Sequence, residues 1–347
     1  MVDGSMIGVE ELAFGEVGPV SPGEPHRCVD LRSAAGLGPE ALAAAAVAAR
    51  ASHRVLIGVG WPGHEASELL DALTVTVVGE GEWDWDRRVV SAPSAAVAAA
   101  ELVAGIDAAP VAAVTLAGLL QMSERLSVHD GLVAESLAYS TLQAGPEYAA
   151  WLAAADYPVK PEAGPPIQVE RRDAVLAIEL TRPDRHNALS AGMRDALVEA
   201  LHVAIADDSI GRLELTGRGR SFCSGGDLAE FGTAQDPARA HLVRTEHRPG
   251  EQLHLLAQRL GADCVAHVHG AVMGGGLEVA AFAGHIRARP DSRFLLPELS
   301  MGLVPGAGGT VSVPRRIGRW RTAWMVLTGQ VLDADAALLW GLVDEVA

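Results

Sequence analysis

Cysteine, lysine and aromatic residues are scarce in this chain of 347 residues. The three cysteines, Cys28, Cys223 and Cys264, are scattered, so they suggest neither a disulfide framework nor a zinc-ligand spacing. This cysteine usage is typical of a reducing compartment, and we expect a cytoplasmic protein. Aromatic residues make up only 4% of the chain, while alanine and valine are abundant. We therefore expect a core built from small side chains.

Long hydrophobic runs and a secretory signal are also lacking. No stretch of about 18 apolar residues is free of charges, so the sequence predicts no membrane span. The first residues are acidic and have no basic segment, which is not the pattern of a signal peptide.

Positive charge is scarce as well. The formal net charge is −17, of which residues 1–165 carry −14 and residues 166–347 carry −3. Neither half is basic, and we therefore expect no nucleic-acid partner. Lys160 is the only lysine. Arginines of the second half would have to neutralise any anionic ligand.

The first half alternates between strand-like and helical patterns, which favours an α/β arrangement. Residues 1–25 are rich in glycine, proline and glutamate and are expected to be irregular. The pattern predicts strands at 28–31, 54–59, 73–78 and 111–116. It predicts helices at 38–50, 95–106 and 122–155, the last broken near Gly145-Pro146. The proline-rich segment 157–166 is the best linker candidate.

The second half continues this alternation. A strand pair is predicted at 167–170 and 174–180, and Ser190 is a plausible N-cap for a helix that ends near Ala206. A further strand is predicted at 212–216. The alternation favours mostly parallel strand pairing.

The motifs of the second half are organised around residues 262–310. A strand-like run at 264–268 is followed by the glycine triplet 274–276 and then by an apolar helix. Glycines allow backbone N–H groups to approach a ligand, and the free N–H groups of a helix start favour negative charge there. Glu278 lies at the head of this helix, and Glu298 follows after a second strand-like run.

Several linked motifs in this half resemble the crotonase (enoyl-CoA hydratase/isomerase) superfamily. They are the glycine triplet followed by Glu278, the Pro297-Glu298 pair, the Pro-Gly-Ala-Gly-Gly-Thr loop at 305–310, the Arg-Pro-x-x-x-Asn-Ala-Leu run at 182–189 and the Phe-Cys-Ser-Gly-Gly-Asp-Leu loop at 222–228. The resemblance implies an α/β fold with a ββα spiral over residues 166–347. A smaller α/β domain, residues 1–160 with the helical segment 122–155, would precede it.

The resemblance also implies a reaction and its catalytic groups. The backbone N–H groups of Gly226 and Gly275 would form an oxyanion hole for a thioester carbonyl. Glu278 would activate a water as general base, and Glu298 would deliver a proton to C2. The implied activity is hydration of a trans-2-enoyl-CoA to a 3-hydroxyacyl-CoA. The alternative for each glutamate is an ordinary surface position.

CoA contacts are implied by the same motifs. The residues carried over are Arg182, Arg185, Ala188, Ser224, Asp227 and Leu228. CoA would enter as part of the acyl-CoA substrate, so we expect no separate cofactor. We also expect no metal, because His267 and His269 share a strand face but have no carboxylate cluster nearby at ligand spacing.

Other reactions on such a site stay open. They are double-bond isomerisation, thioester hydrolysis and cofactor-free oxygenation, and a non-catalytic CoA-ester-binding protein is a further alternative. The isomerases often keep only the acid that matches Glu298, so Glu278 argues against them. We expect a homo-oligomer, as a trimer or hexamer.

The chain departs from the family at its end. The family core continues beyond the position of Glu345 into helices that cover the acyl pocket and build the trimer, whereas this chain stops at Ala347. The helical segment 122–155 resembles those helices in character. We therefore hypothesise that the N-terminal half supplies the cover.

The two halves also share a faint similarity. Pro110–Val114 resembles Cys264–Val268, and Arg54–Ile57 resembles Arg212–Leu215 in context. The first half is thus either a degenerate crotonase-like copy or a chance match, since all βα units share composition.

Overall fold

The structure, a computed structural model, describes residues 6–15, 23–81, 86–154, 156–158, 164–234 and 236–347. The first half contains a parallel sheet in which strand order follows chain order. Its strands are β1 (Ile7–Gly8), β2 (His26–Asp30), β3 (Val55–Val59), β4 (Val75–Gly79) and β5 (Val89–Ala92). The central strand β3 is buried along its whole length. Its run of Val, Leu and Ile is the composition expected where helices cover a parallel sheet.

Seven helices accompany this sheet in the described residues. They are α1 (Val9–Phe14), α2 (Pro39–Ala51), α3 (Ser67–Ala72), α4 (Ala95–Ala108), α5 (Pro110–Ser123), α6 (Val128–Gln143) and α7 (Pro146–Ala154). Proline occupies the first turn of α2 and α5, where its missing N–H removes no helical hydrogen bond. Ser127 caps α6 by accepting a hydrogen bond from the Asp130 N–H.

The second half contains two sheets. The strands are β6 (Ile167–Arg172), β7 (Val175–Leu180), β8 (Arg212–Gly217), β9 (Cys264–Val268), β10 (Ala271–Met273), β11 (His285–Ala288), β12 (Arg293–Leu295), β13 (Leu332–Asp333) and β14 (Glu345–Val346). The larger sheet has the order β14-β11-β9-β8-β7-β6 and is parallel except for the β6–β7 hairpin, and the smaller sheet has the order β10-β12-β13.

The helices of this half are α8 (Ala191–Ala206), α9 (Pro237–Glu246), α10 (Pro249–Leu260), α11 (Gly275–Ala280), α12 (Gly309–Thr328) and α13 (Ala334–Trp340). The chain leaves the larger sheet at β9, adds β10 to the smaller sheet, and returns through α11 to β11. This strand–strand–helix turn is the spiral that the motifs predicted. Gly318, with φ 83°, interrupts α12.

The two halves share a large hydrophobic core, and a second buried cluster, which includes side chains of α1, α2 and α3, belongs to the first half alone. Buried side chains of β3, β4, α4 and α5 belong to the same cluster as those of the second half, and α12 packs on α4 and α5. A side chain at Gly105 of α4 would lie 2.0 Å from the Leu327 carbonyl oxygen, so these two helices touch at backbone distance. Buried Arg319 of α12 donates to the carbonyl oxygens of Leu73 and Asp71.

Two expectations for the first half are wrong. Residues 111–116 lie in α5 rather than in a strand, because Leu116, Leu119 and Leu120 form one buried helical face. A short apolar run cannot distinguish the two states by periodicity alone. Residues 1–25 are not irregular throughout, since β1 and α1 lie among them.

The first of these errors bears on the suggested internal repeat. Pro110–Val114 is helical whereas Cys264–Val268 is β9, so that half of the similarity fails. The other pair, Arg54–Ile57 and Arg212–Leu215, falls on the parallel strands β3 and β8, and an internal repeat stays a prediction. The other predicted strands and helices are confirmed to within a few residues.

The linker prediction at 157–166 falls partly on residues 159–163, which lie outside the described residues. Among the helices that the structure describes, none is by itself long and apolar enough to cross a bilayer. Only α4 and α5 together, bent by 111°, meet those criteria of length and composition.

Candidate active site

One pocket of about 870 Å³ brings together residues from both halves. Its lining includes the turn at 224–228, Gly274 and Gly275 of the glycine triplet, both predicted glutamates and the loop at 306–308. Helix α6 contributes Leu132, Glu135, Ser136, Tyr139 and Gln143. The N-terminal helices therefore cover this pocket, as the hypothesis of a substitute cover expects.

Gly226 and Gly275 lie next to each other in two adjoining turns. A Cβ on Gly275 would be 3.8 Å from the Gly226 nitrogen. Isolated bridges from Leu189 to Gly226 and from Cys223 to Val272 hold the turns in register. Gly275 is the first residue of α11, so its N–H has no intrahelical acceptor. Within the described residues, neither of these two N–H groups donates to the protein.

Glu278 lies on α11 with its side chain 2% exposed. Its Oε2 atom accepts hydrogen bonds from the N–H groups of Ala307 and Gly309, at 2.6 and 2.8 Å. A Cβ on Gly309 would lie 2.6 Å from Glu278 Cγ, so glycine is required for this close approach. The glycine-rich loop thus fixes the carboxylate beside the turns that carry Gly226 and Gly275.

Glu298 begins a 3₁₀ turn after β12 and is 5% exposed. A Cβ on Gly274 would lie 2.7 Å from Glu298 Oε1, so this carboxyl group rests on the glycine triplet. Its Oε2 atom is buried and has no hydrogen-bond partner among the described residues. A buried oxygen without a partner is a natural position for water or substrate to bind.

Burial raises the pKa of both glutamates. The pKa of Glu278 rises to about 7, because desolvation outweighs the N–H groups of Ala307 and Gly309 that favour its ionised form. The pKa of Glu298 rises well above its usual range through burial and then through the negative charge of Glu278. Both carboxyl groups therefore keep a proton to higher pH than an exposed glutamate does.

Sequence reasoning missed a third carboxylate, Glu135. It lies on α6, is 2% exposed, and accepts hydrogen bonds from the N–H groups of Gly308 and Thr310. The available signal was its helical spacing from Leu132 and Tyr139, which places an acid on a buried helix face. That signal indicates burial but not the partner, which lies 173 residues away.

Two of the predicted CoA contacts are arginines that the structure ties to Asp227. Arg182 is 4% exposed and donates to Asp227 at 2.7 Å and to the Ala188 carbonyl oxygen. Arg185 lies 3.3 Å from the same carboxylate and lines the pocket. These pairs hold the 182–189 loop against the 222–228 loop. Contacts of either arginine with CoA phosphate stay predictions.

The remaining predicted contacts, Ala188, Ser224 and Leu228, line the pocket together with Asp227. Asn187 organises their loop, because its amide donates to the carbonyl oxygens of Arg218 and Ser221 and its oxygen accepts from the Arg182 N–H. With φ 53°, Asn187 has the left-handed backbone that asparagine tolerates well.

Helices α6 and α9 form another wall of the pocket. Tyr139 is packed against Gly306, where a Cβ would be 2.4 Å from the ring. The Arg244 guanidinium lies over this ring at 4.6 Å from its centroid. Arg244 also donates to Ser136, Ser140 and Gln143. This wall of the pocket is thus aromatic and cationic.

No group of three metal-ligating side chains is arranged to hold a metal ion in the part of the chain that the structure describes. His269 instead bonds with the Gly219 carbonyl oxygen at 3.0 Å.

The second half of the chain is similar in sequence to known proteins. The family model described as enoyl-CoA hydratase/isomerase matches residues 170–347. Over 178 residues, the chain is 35% identical to 2,3-dehydroadipyl-CoA hydratase of Escherichia coli K12, covering 51% of this chain and 68% of that protein. Over 182 residues, it is 34% identical to 4-chlorobenzoyl coenzyme A dehalogenase-2 of an Arthrobacter species, covering 52% and 65%.

A solved structure of an enoyl-CoA hydratase subunit from Geobacillus kaustophilus HTA426 is 33% identical, with a TM-score of 0.47 and coverage of 52% of this chain and 68% of that one. The chain thus spans about two thirds of the length of these relatives, and the matched part is its second half.

Proposed function

This chain belongs to the enoyl-CoA hydratase/isomerase family, and on that premise we propose that it hydrates a trans-2-enoyl-CoA thioester to a 3-hydroxyacyl-CoA. The observation that carries the proposal is the position of Glu278 and Glu298. Both are buried, both line one pocket, and both adjoin the turns whose Gly226 and Gly275 N–H groups have no protein acceptor among the described residues. A pocket with convergent polar groups of raised pKa is the expected form of an active site.

The oxyanion step uses the Gly226 and Gly275 N–H groups. The thioester oxygen accepts a hydrogen bond from each, which stabilises the negative charge that develops as C3 is attacked. The N-terminus of α11 adds its dipole to the same position. Loss of one such donor commonly raises the barrier by about 2.7–4 kcal/mol.

The two carboxyl groups divide the proton transfers. Ionised Glu278 removes a proton from the water whose oxygen bonds to C3. Protonated Glu298 gives its proton to C2, so that the elements of water add across the double bond. Burial and the negative charge of Glu278 raise the pKa of Glu298, which supports this division, because the acid must hold its proton when the base has lost one.

The relatives include a dehalogenase, so other reactions of acyl-CoA thioesters are the second candidate. A free Glu298 oxygen and an ionisable Glu278 on the same pocket favour hydration, which needs an acid and a base.

The test is crotonyl-CoA hydration, followed as loss of the enoyl-thioester absorbance, for the wild type, Glu278→Gln and Glu298→Gln. We expect each substitution to lower kcat by about 10²–10⁴-fold, since each removes one acid–base group. Glu199→Gln is the control, because Glu199 is exposed on α8 and does not line the pocket.

A wild-type protein that binds the ester without hydrating it would refute the proposal. Dehalogenation, isomerisation and hydrolysis of CoA esters would then be assayed with the same variants.

A further inference from the structure

The successive backbone N–H groups of residues 307–310 donate alternately to two carboxylates. Glu278 accepts the N–H groups of Ala307 and Gly309, and Glu135 accepts those of Gly308 and Thr310. The Thr310 hydroxyl also donates to Glu135 Oε2 at 2.7 Å. We propose that Glu135, from the N-terminal half, is a positioning residue that sets the geometry and proton affinity of the glutamate pair. This proposal rests on the proposed function.

The effect of Glu135 on the geometry of Glu278 follows from the backbone segment to which both carboxylates bond. Successive N–H groups of the loop point alternately to the two carboxylates, so a displacement of Gly308 or Thr310 moves Ala307 and Gly309 as well. Glu278 would then lose its alignment. An error of about 1 Å in a catalytic group can lower the rate about 10²-fold.

The effect of Glu135 on the proton affinity of the glutamate pair follows from the charged and polar groups that face Glu135. Glu278 on α11 and Glu298 on its 3₁₀ turn are acidic, Arg244 on α9 is basic, and Thr310 on α12 donates. The pKa of Glu135 is raised to about 8 by burial and by the charge of Glu278. Once ionised, Glu135 raises the pKa of Glu298 and helps it to keep its proton.

Glu135→Gln is the decisive variant. Its amide keeps the shape of the side chain but replaces one acceptor oxygen with a donor, which cannot bond to a second N–H. We expect kcat to fall about 10²-fold with a smaller change in KM. Because a negative charge near Glu298 is lost, its pKa falls, and the alkaline limb of the pH–kcat profile moves to lower pH.

Glu147→Gln is the matched control. Glu147 also accepts two backbone N–H groups, those of Val111 and Ala112, but does not line the pocket. We expect it to lower stability without shifting the alkaline limb. An unshifted limb in Glu135→Gln, or an equal shift in both variants, would overturn the proposal.

Infrared difference titration without substrate separates this proposal from the hydratase assignment. The protonated-carboxyl band that is absent in Glu298→Gln reports Glu298, and it should titrate at lower pH in Glu135→Gln. If the band shifts in a protein that shows no hydratase activity, the proposed role of Glu135 stands and only the proposed hydration reaction is refuted. An unshifted band would refute the coupling.

A different observation concerns the acyl group. Arg185, Arg194, Arg239 and Arg248 line the pocket, and Arg185, Arg194 and Arg248 each pair with a carboxylate. Arg244 lines it too, but its described contacts are neutral: Tyr139, Ser136, Ser140 and Gln143. The nearby carboxylate of Glu135 is occupied by the 308–310 backbone. A partly buried cation without an ion-pair partner is costly unless a ligand supplies the charge.

We infer that the substrate is the monothioester of a dicarboxylic acid, with its free carboxylate bound by Arg244. This second inference deepens the proposed function by naming its substrate class. Binding of unreactive saturated thioesters tests it independently of hydration. ω-Carboxyacyl-CoA and plain acyl-CoA esters of four to about eight carbons are compared by calorimetry.

For the best chain length we expect the wild type to bind the ω-carboxy ester about 10-fold or more tightly, the value of a charge-assisted hydrogen bond. Arg244→Gln should lose this preference and keep plain acyl-CoA binding, whereas Arg194→Gln should keep the preference. Equal wild-type affinities at every length, or a preference that survives in Arg244→Gln, would overturn the inference.

Discussion

Cys223 and Gly276 fix the separation of the two turns that carry Gly226 and Gly275. A Cβ on Gly276 would lie 2.6 Å from Cys223 Cβ and 2.7 Å from its carbonyl oxygen. Cys223 is buried, and burial raises the pKa of its thiol to about 11, so it remains a neutral spacer at physiological pH.

We predict that Gly276→Ala forces the turns apart. Overpacking of this kind costs about 1–3 kcal/mol, and the displaced Gly275 N–H should lower kcat as well. Urea unfolding and crotonyl-CoA turnover measure the two effects. Gly192→Ala is the control, since its Cβ would meet only Ser190 Oγ at 3.9 Å. It should stabilise α8 by about 0.4–1 kcal/mol. Equal behaviour of both variants would argue against a steric role for Gly276.

The buried Glu278 also predicts a pH dependence of stability. Its folded pKa of about 7 exceeds the ordinary value of 4.5, so the folded state holds a proton that the unfolded state releases. Stability is therefore complete below about pH 4.5 and is lost as pH rises through 7, by roughly 3 kcal/mol. Thermal unfolding of Glu278→Gln should show a smaller decline between pH 5 and 8 than the wild type. Parallel curves would contradict the shift.

The N-terminus of helix α8 adjoins a loop that lines the candidate pocket. Ser190 is the predicted N-cap, and the structure confirms it: Ser190 Oγ accepts the Met193 N–H at 3.2 Å. The cap joins α8 to the loop that carries Ala188 and Leu189, both of which line the pocket.

We predict that Ser190→Ala lowers the free energy of unfolding by about 0.5–2 kcal/mol, because the Met193 N–H loses its acceptor. Ser190→Gly should cost only a few tenths of a kcal/mol, since glycine adopts the cap backbone readily. Denaturant titrations of the two variants distinguish these values. An alanine variant as stable as the glycine variant would mean that the cap contributes nothing.

At the scale of the whole molecule, the N-terminal half is structurally part of the catalytic half. It supplies α6 to the pocket wall and covers α12 with α4 and α5. Arg319 finds its acceptors at Leu73, Asp71 and Glu124, all in the first half.

We predict that residues 166–347 expressed alone do not fold to a stable, ligand-binding state. The truncation exposes the buried face of α12 and leaves Arg319 and the 308–310 loop without partners. Cooperative unfolding and binding of a saturated acyl-CoA are the measurements, with residues 1–165 added in trans as the control. A truncated chain that unfolds cooperatively and binds the ester would show that the halves are separable.

The sequence alone determined the spiral half and the residues within it that lie on local units. Gly275 and Glu278 share one strand–turn–helix, and Ser190 precedes its own helix, so short-range pattern was sufficient. The helical character of 122–155 was readable for the same reason, whereas the Val111 run was ambiguous because it contains too few turns.

Only the tertiary structure decided which distant groups meet. Glu135 reaches the 308–310 loop across 173 residues, and Arg244 reaches Tyr139 on a helix more than a hundred positions away. Neither contact can be read from sequence periodicity, because the apolar spacing shows which face of a helix is buried but not which residues pack against that face. Packing of the two halves into one core is what turned an acid on a buried helix face into part of the site.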